Sequence, residues 1–154
     1  MSRKGTLKAR SALWGLPRID DSNSRQTSPA TATYNCIAWA MGDTSKWWWP
    51  EGRDGCYWPP GAPLEPTLEA FRVAFSLAGF ELCASFDPLS DLEIVVLYAK
   101  DESPTHAARS LPSGKWTSKL GRGIDIEHVD LEALAGGTYG EPRLAFCRSR
   151  ALEG

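Results

Sequence analysis

Residues 43–66 carry Pro50, Pro59, Pro60, Pro63 and Pro66, with Gly52, Gly55 and Gly61 between them. Proline lacks the amide proton that a helix interior or a central strand needs, and glycine weakens both. This segment is therefore expected as a long loop that interrupts the regular structure. It also holds Trp47, Trp48, Trp49 and Trp58, four of the seven tryptophans of the chain. A loop of this length in a compact domain is either fixed by its own side chains or functional. Tryptophan suits both roles: the rings can fill core, or they can wall a groove that takes a peptide or a sugar face.

Regular elements are expected on both sides of the loop. Residues 35–42 (Asn-Cys-Ile-Ala-Trp-Ala-Met-Gly) read as a short helix, apolar almost all round and hence buried. Thr33 or Asn35 can cap its start and Gly42 can end it. A second helix starts after Thr67, presents Leu68, Phe71, Ala74, Phe75 and Leu77, and closes at Gly79. Strands are expected at 80–84, 93–99 and 143–148, and as a hairpin of 105–111 and 115–120 around Pro112-Ser113-Gly114. Residues 122–140 are a polar connection with one helical turn at 131–134. The order predicts an α+β fold, with helices segregated to one side of an antiparallel sheet. A length of 154 residues suits one domain. Its expected extent is 31–150, with 1–30 as a flexible arm loosely docked through Leu13, Trp14, Leu16 and Ile19.

Charge excludes several partners. Seventeen basic and nineteen acidic residues leave a net charge of −2. No strong field favours nucleic acid or an anionic membrane. Arg3, Lys4, Lys8 and Arg10 read as a solvated basic tail. The sequence has no apolar run long enough for a bilayer and a secretory leader is not expected, so cytoplasmic residence is expected, with signal-independent export compatible. Cys36, Cys56, Cys83 and Cys147 form no C-x-x-C pair and are expected as free thiols, Cys83 and Cys147 as small core residues. Neither a metal nor a cofactor is indicated.

Cys36 sits at the first turn of the short helix, where amide N–H groups and the helix dipole favour a thiolate nucleophile. The competing reading is a buried apolar thiol beside Ile37 and Ala38. The two histidines, His106 and His128, leave few ways to supply a base. His106 lies on the first arm of the hairpin. Ser118 or Lys119, on the second arm, can stand beside it and orient the imidazole; Asp125 and His128 can fold back to do so. The Cys36 N–H, with the Asn35 amide, can hold an oxyanion; Asn35 can equally serve only as the cap. Trp47, Trp48, Trp49, Trp58 and Trp116 are the candidate substrate-binding rings.

The runs Asn-Cys-Ile-Ala-Trp-Ala-Met-Gly (35–42), Trp-Trp-Trp-Pro (47–50), Tyr-Trp-Pro (57–59), Thr-His-Ala-Ala-Arg (105–109), Trp-Thr-Ser-Lys-Leu-Gly (116–121) and Ile-Glu-His (126–128) resemble a family of small uncharacterised bacterial proteins over residues 33–140. More distantly, a Cys-bearing helix followed by a His-bearing strand is similar to the papain-like superfamily, including its NlpC/P60 and CHAP amidase branches. Cys36 matches the nucleophile and His106 the base; Ser118 and Lys119 stand where those branches place an acid, an amide or a second His. The resemblance implies a cysteine hydrolase or transferase acting on a peptide, isopeptide or glutamine amide, in a class that includes toxins, effectors and phage-encoded proteins. The alternative is a binding protein on the same scaffold, which would meet a protein partner through its tryptophan-rich loop.

Overall fold

The computed structural model describes residues 7–51, 56–84, 86–87 and 91–149. In chain order the elements are α1 (Leu7–Trp14), β1 (Ser24–Ser28), α2 (Cys36–Ala40), β2 (Trp47–Trp48), β3 (Cys56–Tyr57), α3 (Leu68–Leu77), β4 (Glu81–Cys83), β5 (Leu92–Lys100), β6 (Ser103–Ser110), β7 (Trp116–Lys119), β8 (Asp125–His128), a 3₁₀ turn at Leu131–Leu134, and β9 (Glu141–Ser149). Seven strands form one antiparallel sheet in the order β1-β8-β7-β6-β5-β9-β4. The chain is thus α+β, and β2 and β3 add a small parallel pair inside the proline-rich loop.

Both helices flanking the loop form where their caps stand. The Asn35 side chain accepts from the Ala38 N–H and starts α2, and the Thr67 side chain accepts from the Ala70 N–H and starts α3. An uncapped first turn would leave these donors unpaired in a buried setting.

The sheet is covered on both faces, unlike the one-sided arrangement expected. Strand alternation divides β5 between two cores. Val95 and Leu97 pack with α2, α3, Trp48 and Trp58, while Ile94, Val96 and Tyr98 pack with Leu7, Leu16, Ile19 and Leu134. A strand buried on both faces reads as a continuous apolar run, which explains Glu93–Ala99. Within the segment expected as an arm, residues 7–28 pack on the sheet, and residues 1–6 lie outside the described residues. Leu16 and Ile19 are fully buried, α1 covers the second core, and β1 pairs with β8 at the sheet edge. Among the described residues no helix is long and apolar enough to cross a membrane.

Lys119 replaces water with protein carbonyls. It is fully buried, and its ammonium donates to the backbone oxygens of Thr31, Gly121 and Gly123 at 2.6, 2.6 and 2.7 Å. It also lies 5.2 Å over the Tyr34 ring. These bonds pin the β7–β8 turn to the segment leading into α2.

Candidate active site

The start of α2 opens into a cleft of about 330 Å³ lined by Asn35, Cys36, Trp47, Trp49, Glu51, Thr105, Gly121 and Tyr139. Asn35 ties the helix to the tryptophan loop. Its Oδ1 accepts from the N–H of Ala38 and of Trp48, both at 3.1 Å, and its Nδ2 donates to the Trp48 carbonyl at 2.7 Å. The cap is therefore the role that the side chain visibly fills.

Cys36 lies where β6 and β7 part. The two strands pair at Arg109–Thr117 and Ser110–Trp116, and α2 packs against both. The backbone N–H groups of Ala107, Ile37 and Cys36 itself favour the charged form of the Cys36 sulfur. Burial nevertheless dominates and pushes the thiol up to about 11. Of the two readings of Cys36, its burial agrees with the apolar thiol. Three amides and the charge of Lys119 do not offset full desolvation, so Cys36 rests protonated.

His106 is fully buried on β6 and held by a chain of hydrogen bonds. Its Nε2 lies 3.0 Å from Ser118 Oγ; Ser118 Oγ lies 2.9 Å from His128 Nε2; His128 Nδ1 lies 2.9 Å from the Asp130 carbonyl oxygen. The carbonyl decides every proton in this chain. It can only accept, so His128 carries its proton on Nδ1. His128 Nε2 is then a lone pair and accepts the Ser118 hydroxyl proton. Ser118 Oγ in turn accepts from His106 Nε2–H, and His106 Nδ1 is left as a bare lone pair. That nitrogen is buried and has no hydrogen-bond partner. Burial and the neighbouring His128 hold His106 well below its ordinary 6.5, and burial holds His128 at about 4. Both rings are neutral at pH 7.

No hydrogen bond joins Cys36 to His106. Cys36 packs with Ala107 in the core of the α2 face, whereas His106 contacts Tyr98, which belongs to the other core. Two features link them across β6. One is the N–H of Ala107, the residue after His106. The other is Tyr139, which lines the cleft with Cys36 and stacks on the His106 ring at 4.0 Å and 12°.

A family profile for a domain of unknown function, DUF7689, matches residues 25–147. The chain belongs to the DUF7689 family. The matched span contains Cys36, His106, Ser118 and His128, and it omits α1. The expectation of an uncharacterised family is met. No curated protein and no solved structure matches the chain.

Two polar candidates of the DUF7689 domain stand apart from the imidazole. Lys119 faces α2, opposite to Ser118 on the same strand, and spends its protons on the three carbonyls. Asp125 faces that side too and accepts from the Tyr34 hydroxyl at 2.8 Å. The tryptophans also divide. Trp116 is 2% exposed in the second core and Trp58 is 9% exposed against Phe71, so neither forms a substrate wall. Trp48 is buried too, with its Nε1 donating to Asp43. Trp47 and Trp49 line the cleft. Trp58→Ala is expected to cost about 3 kcal/mol by opening a core cavity, and Trp47→Ala under about 1 kcal/mol. Urea unfolding of both variants measures this; equal losses would contradict the division.

Thr105, Glu51, Gly121 and Tyr139 were not foreseen. Tyr139 lies in the run Gly-Gly-Thr-Tyr-Gly (136–140). A Cβ on Gly140 would overlap the Ala99 carbonyl, and its φ is +75°, so only glycine lets this turn close on β5. Thr105 Oγ1 then donates to the Tyr139 carbonyl at 2.6 Å. A glycine-bracketed aromatic was the available signal.

Proposed function

We propose that this DUF7689 chain is a papain-like cysteine hydrolase or transferase acting on an amide bond, with Cys36 as nucleophile and His106 as base. The observation that carries this reading is the hydrogen-bond chain from the Asp130 carbonyl through His128 and Ser118, which leaves His106 Nδ1 a bare, unpartnered lone pair. A base oriented by a third group is the general requirement of nucleophilic catalysis.

The neutral resting pair fixes the order of proton transfers. The Cys36 sulfur attacks the amide carbon while its proton passes, through a water beside the Tyr139 ring, across β6 to His106 Nδ1. The backbone N–H of Cys36 supports the oxyanion. The imidazolium then gives its proton to the departing amine nitrogen, and a thioester remains. Water attacks the thioester, His106 takes its proton, and the acid leaves with the thiol restored; an amine in place of water gives transfer. Ser118 and His128 act through His106 and are positioning residues. Trp47 and Trp49 flank the acyl portion of a peptide or protein substrate.

A binding protein is the second reading, favoured by the raised thiol and by the absence of a Cys36–His106 hydrogen bond. Reaction with p-nitrophenyl acetate separates the two. The hydrolase reading expects a burst of one p-nitrophenol per chain and an acetyl group mapped to Cys36, both lost in Cys36→Ala. No burst above that variant, or acetylation confined to Cys56, Cys83 or Cys147, overturns it.

A further inference from the structure

Cys83 and Cys147 lie on neighbouring strands away from the cleft. In the β4–β9 register Cys83 faces Ala145 and Glu81 faces Cys147. Cys83 and Cys147 are therefore diagonal neighbours, two residues out of register and on one face of the sheet. Both are half-buried free thiols packed against the same core. The neighbouring Cys83 thiol, ahead of burial, raises the Cys147 thiol to about 11.

We propose that Cys83 and Cys147 form a redox-sensitive dithiol that closes to an intramolecular disulfide under peroxide. The sulfur of Cys83 attacks the O–O bond, becoming a sulfenic acid and releasing one water after proton transfer. The Cys147 sulfur then displaces the second oxygen as water. The balance is two thiols and one peroxide to one disulfide and two waters. Cys147 is the resolving partner, because Glu81, its cross-strand neighbour, and the adjacent Cys83 thiol hold its proton on.

Geometry sets the character of the bond. Diagonal cross-strand residues stand farther apart than a relaxed disulfide prefers, so closure needs a small shift. β4 can supply it: three residues long, at the sheet edge, and paired among the described residues only with β9. A bond closed with strain is easily reduced again, which suits a reversible site rather than a permanent staple.

The full chain, treated with hydrogen peroxide at pH 7.5, tests this. The expected product loses 2 Da, its free thiols fall from four to two, and digestion links the Cys83 and Cys147 peptides; dithiothreitol restores all four. In Cys147→Ser, dimedone is expected to trap Cys83 as the sulfenic acid. Phenylarsine oxide, which bridges adjacent thiols, is expected to bind once to the reduced wild type and not to Cys83→Ser. A linkage through Cys36 or Cys56, over-oxidation without loss of 2 Da, or no arsenical binding overturns the proposal. None of these readouts depends on hydrolysis at Cys36.

Discussion

Replacing His106 with alanine is expected to slow acylation of Cys36 by about 10³-fold. In the wild type the thiol of Cys36 sits near 11 and offers little thiolate at pH 7. Its nucleophilicity then depends on a base that removes the proton during attack, and His106 Nδ1 is the one buried imidazole nitrogen without a partner among the described residues. His106→Ala also empties core beside Tyr139, so a second variant is needed. His106→Gln keeps an amide donor for Ser118 and has no basic nitrogen. Both are expected to fall together, with the p-nitrophenyl acetate burst lost and a thermal transition retained in His106→Gln. Ser118→Ala keeps the base but releases its tautomer, and a loss of about 10-fold or more is expected. A displaced acidic limb in its pH profile would mark Ser118 as positioning rather than structural. Acylation of His106→Gln at the wild-type rate would remove His106 from the mechanism.

Much of this site was written in the hairpin. Turn residues 112–114 place His106 across from the second arm, and Ser118 does meet it. Ser118 and Lys119 could not both serve, because successive strand residues face opposite sides of a sheet. That parity sends Lys119 to the Thr31, Gly121 and Gly123 carbonyls and keeps Ser118 with the imidazole. The state of Cys36 was not legible from its place on α2. A helix start favours a thiolate only where solvent or charge assists, and the depth of burial comes from the packing of α2 against β6 and β7. Tyr139 reaches the site through a turn whose docking depends on Gly140 and Ala99, contacts that local periodicity does not encode.

The fold shows a similar division. Caps and turns are local chemistry, so α2, α3 and the β6–β7 hairpin were readable. β1 has the sequence Ser-Arg-Gln-Thr-Ser, without one apolar residue. It becomes a strand because it pairs with β8, reinforced by Arg25 bonded to Glu127 at 2.8 Å. β8 itself is only Asp-Ile-Glu-His, too short to show a period. The uninterrupted apolar run of β5 belongs to a strand covered on both faces, which the expected one-sided layout did not allow for; α1, Leu16 and Ile19 provide the second cover.

Acid is expected to unfold the domain in a window set by its two imidazoles. His128 titrates at about 4 when folded and near 6.5 when free, and His106 is depressed in the same direction. For a histidine lowered by folding, the unfolded chain binds the proton first. Its contribution to stability is intact above 6.5, declines as pH falls, and is lost below the folded value. His128 alone then removes about 3 kcal/mol between pH 7.5 and 4, with His106 adding to it. Glu127 and Asp130 near His128 favour its charged form, yet burial outweighs them. Carboxylates such as Asp43, held at about 2, act only below this window. Urea midpoints at pH 7.5, 6.0 and 4.5 measure the slope, and His128→Gln is expected to flatten it. The same protonation also acts on the base. A charged His128 donates through Nε2 to Ser118, whose hydroxyl must then turn to His106 Nε2 and drive that ring's proton onto Nδ1. The lone pair of the proposed base is lost, so the rate of Cys36 acylation is expected to stay level through pH 6 and fall toward pH 4. A urea midpoint that does not move between pH 7.5 and 4.5 would contradict two neutral buried rings, and an acylation rate that already halves near pH 6.5 would place an ordinary, solvated histidine in the mechanism.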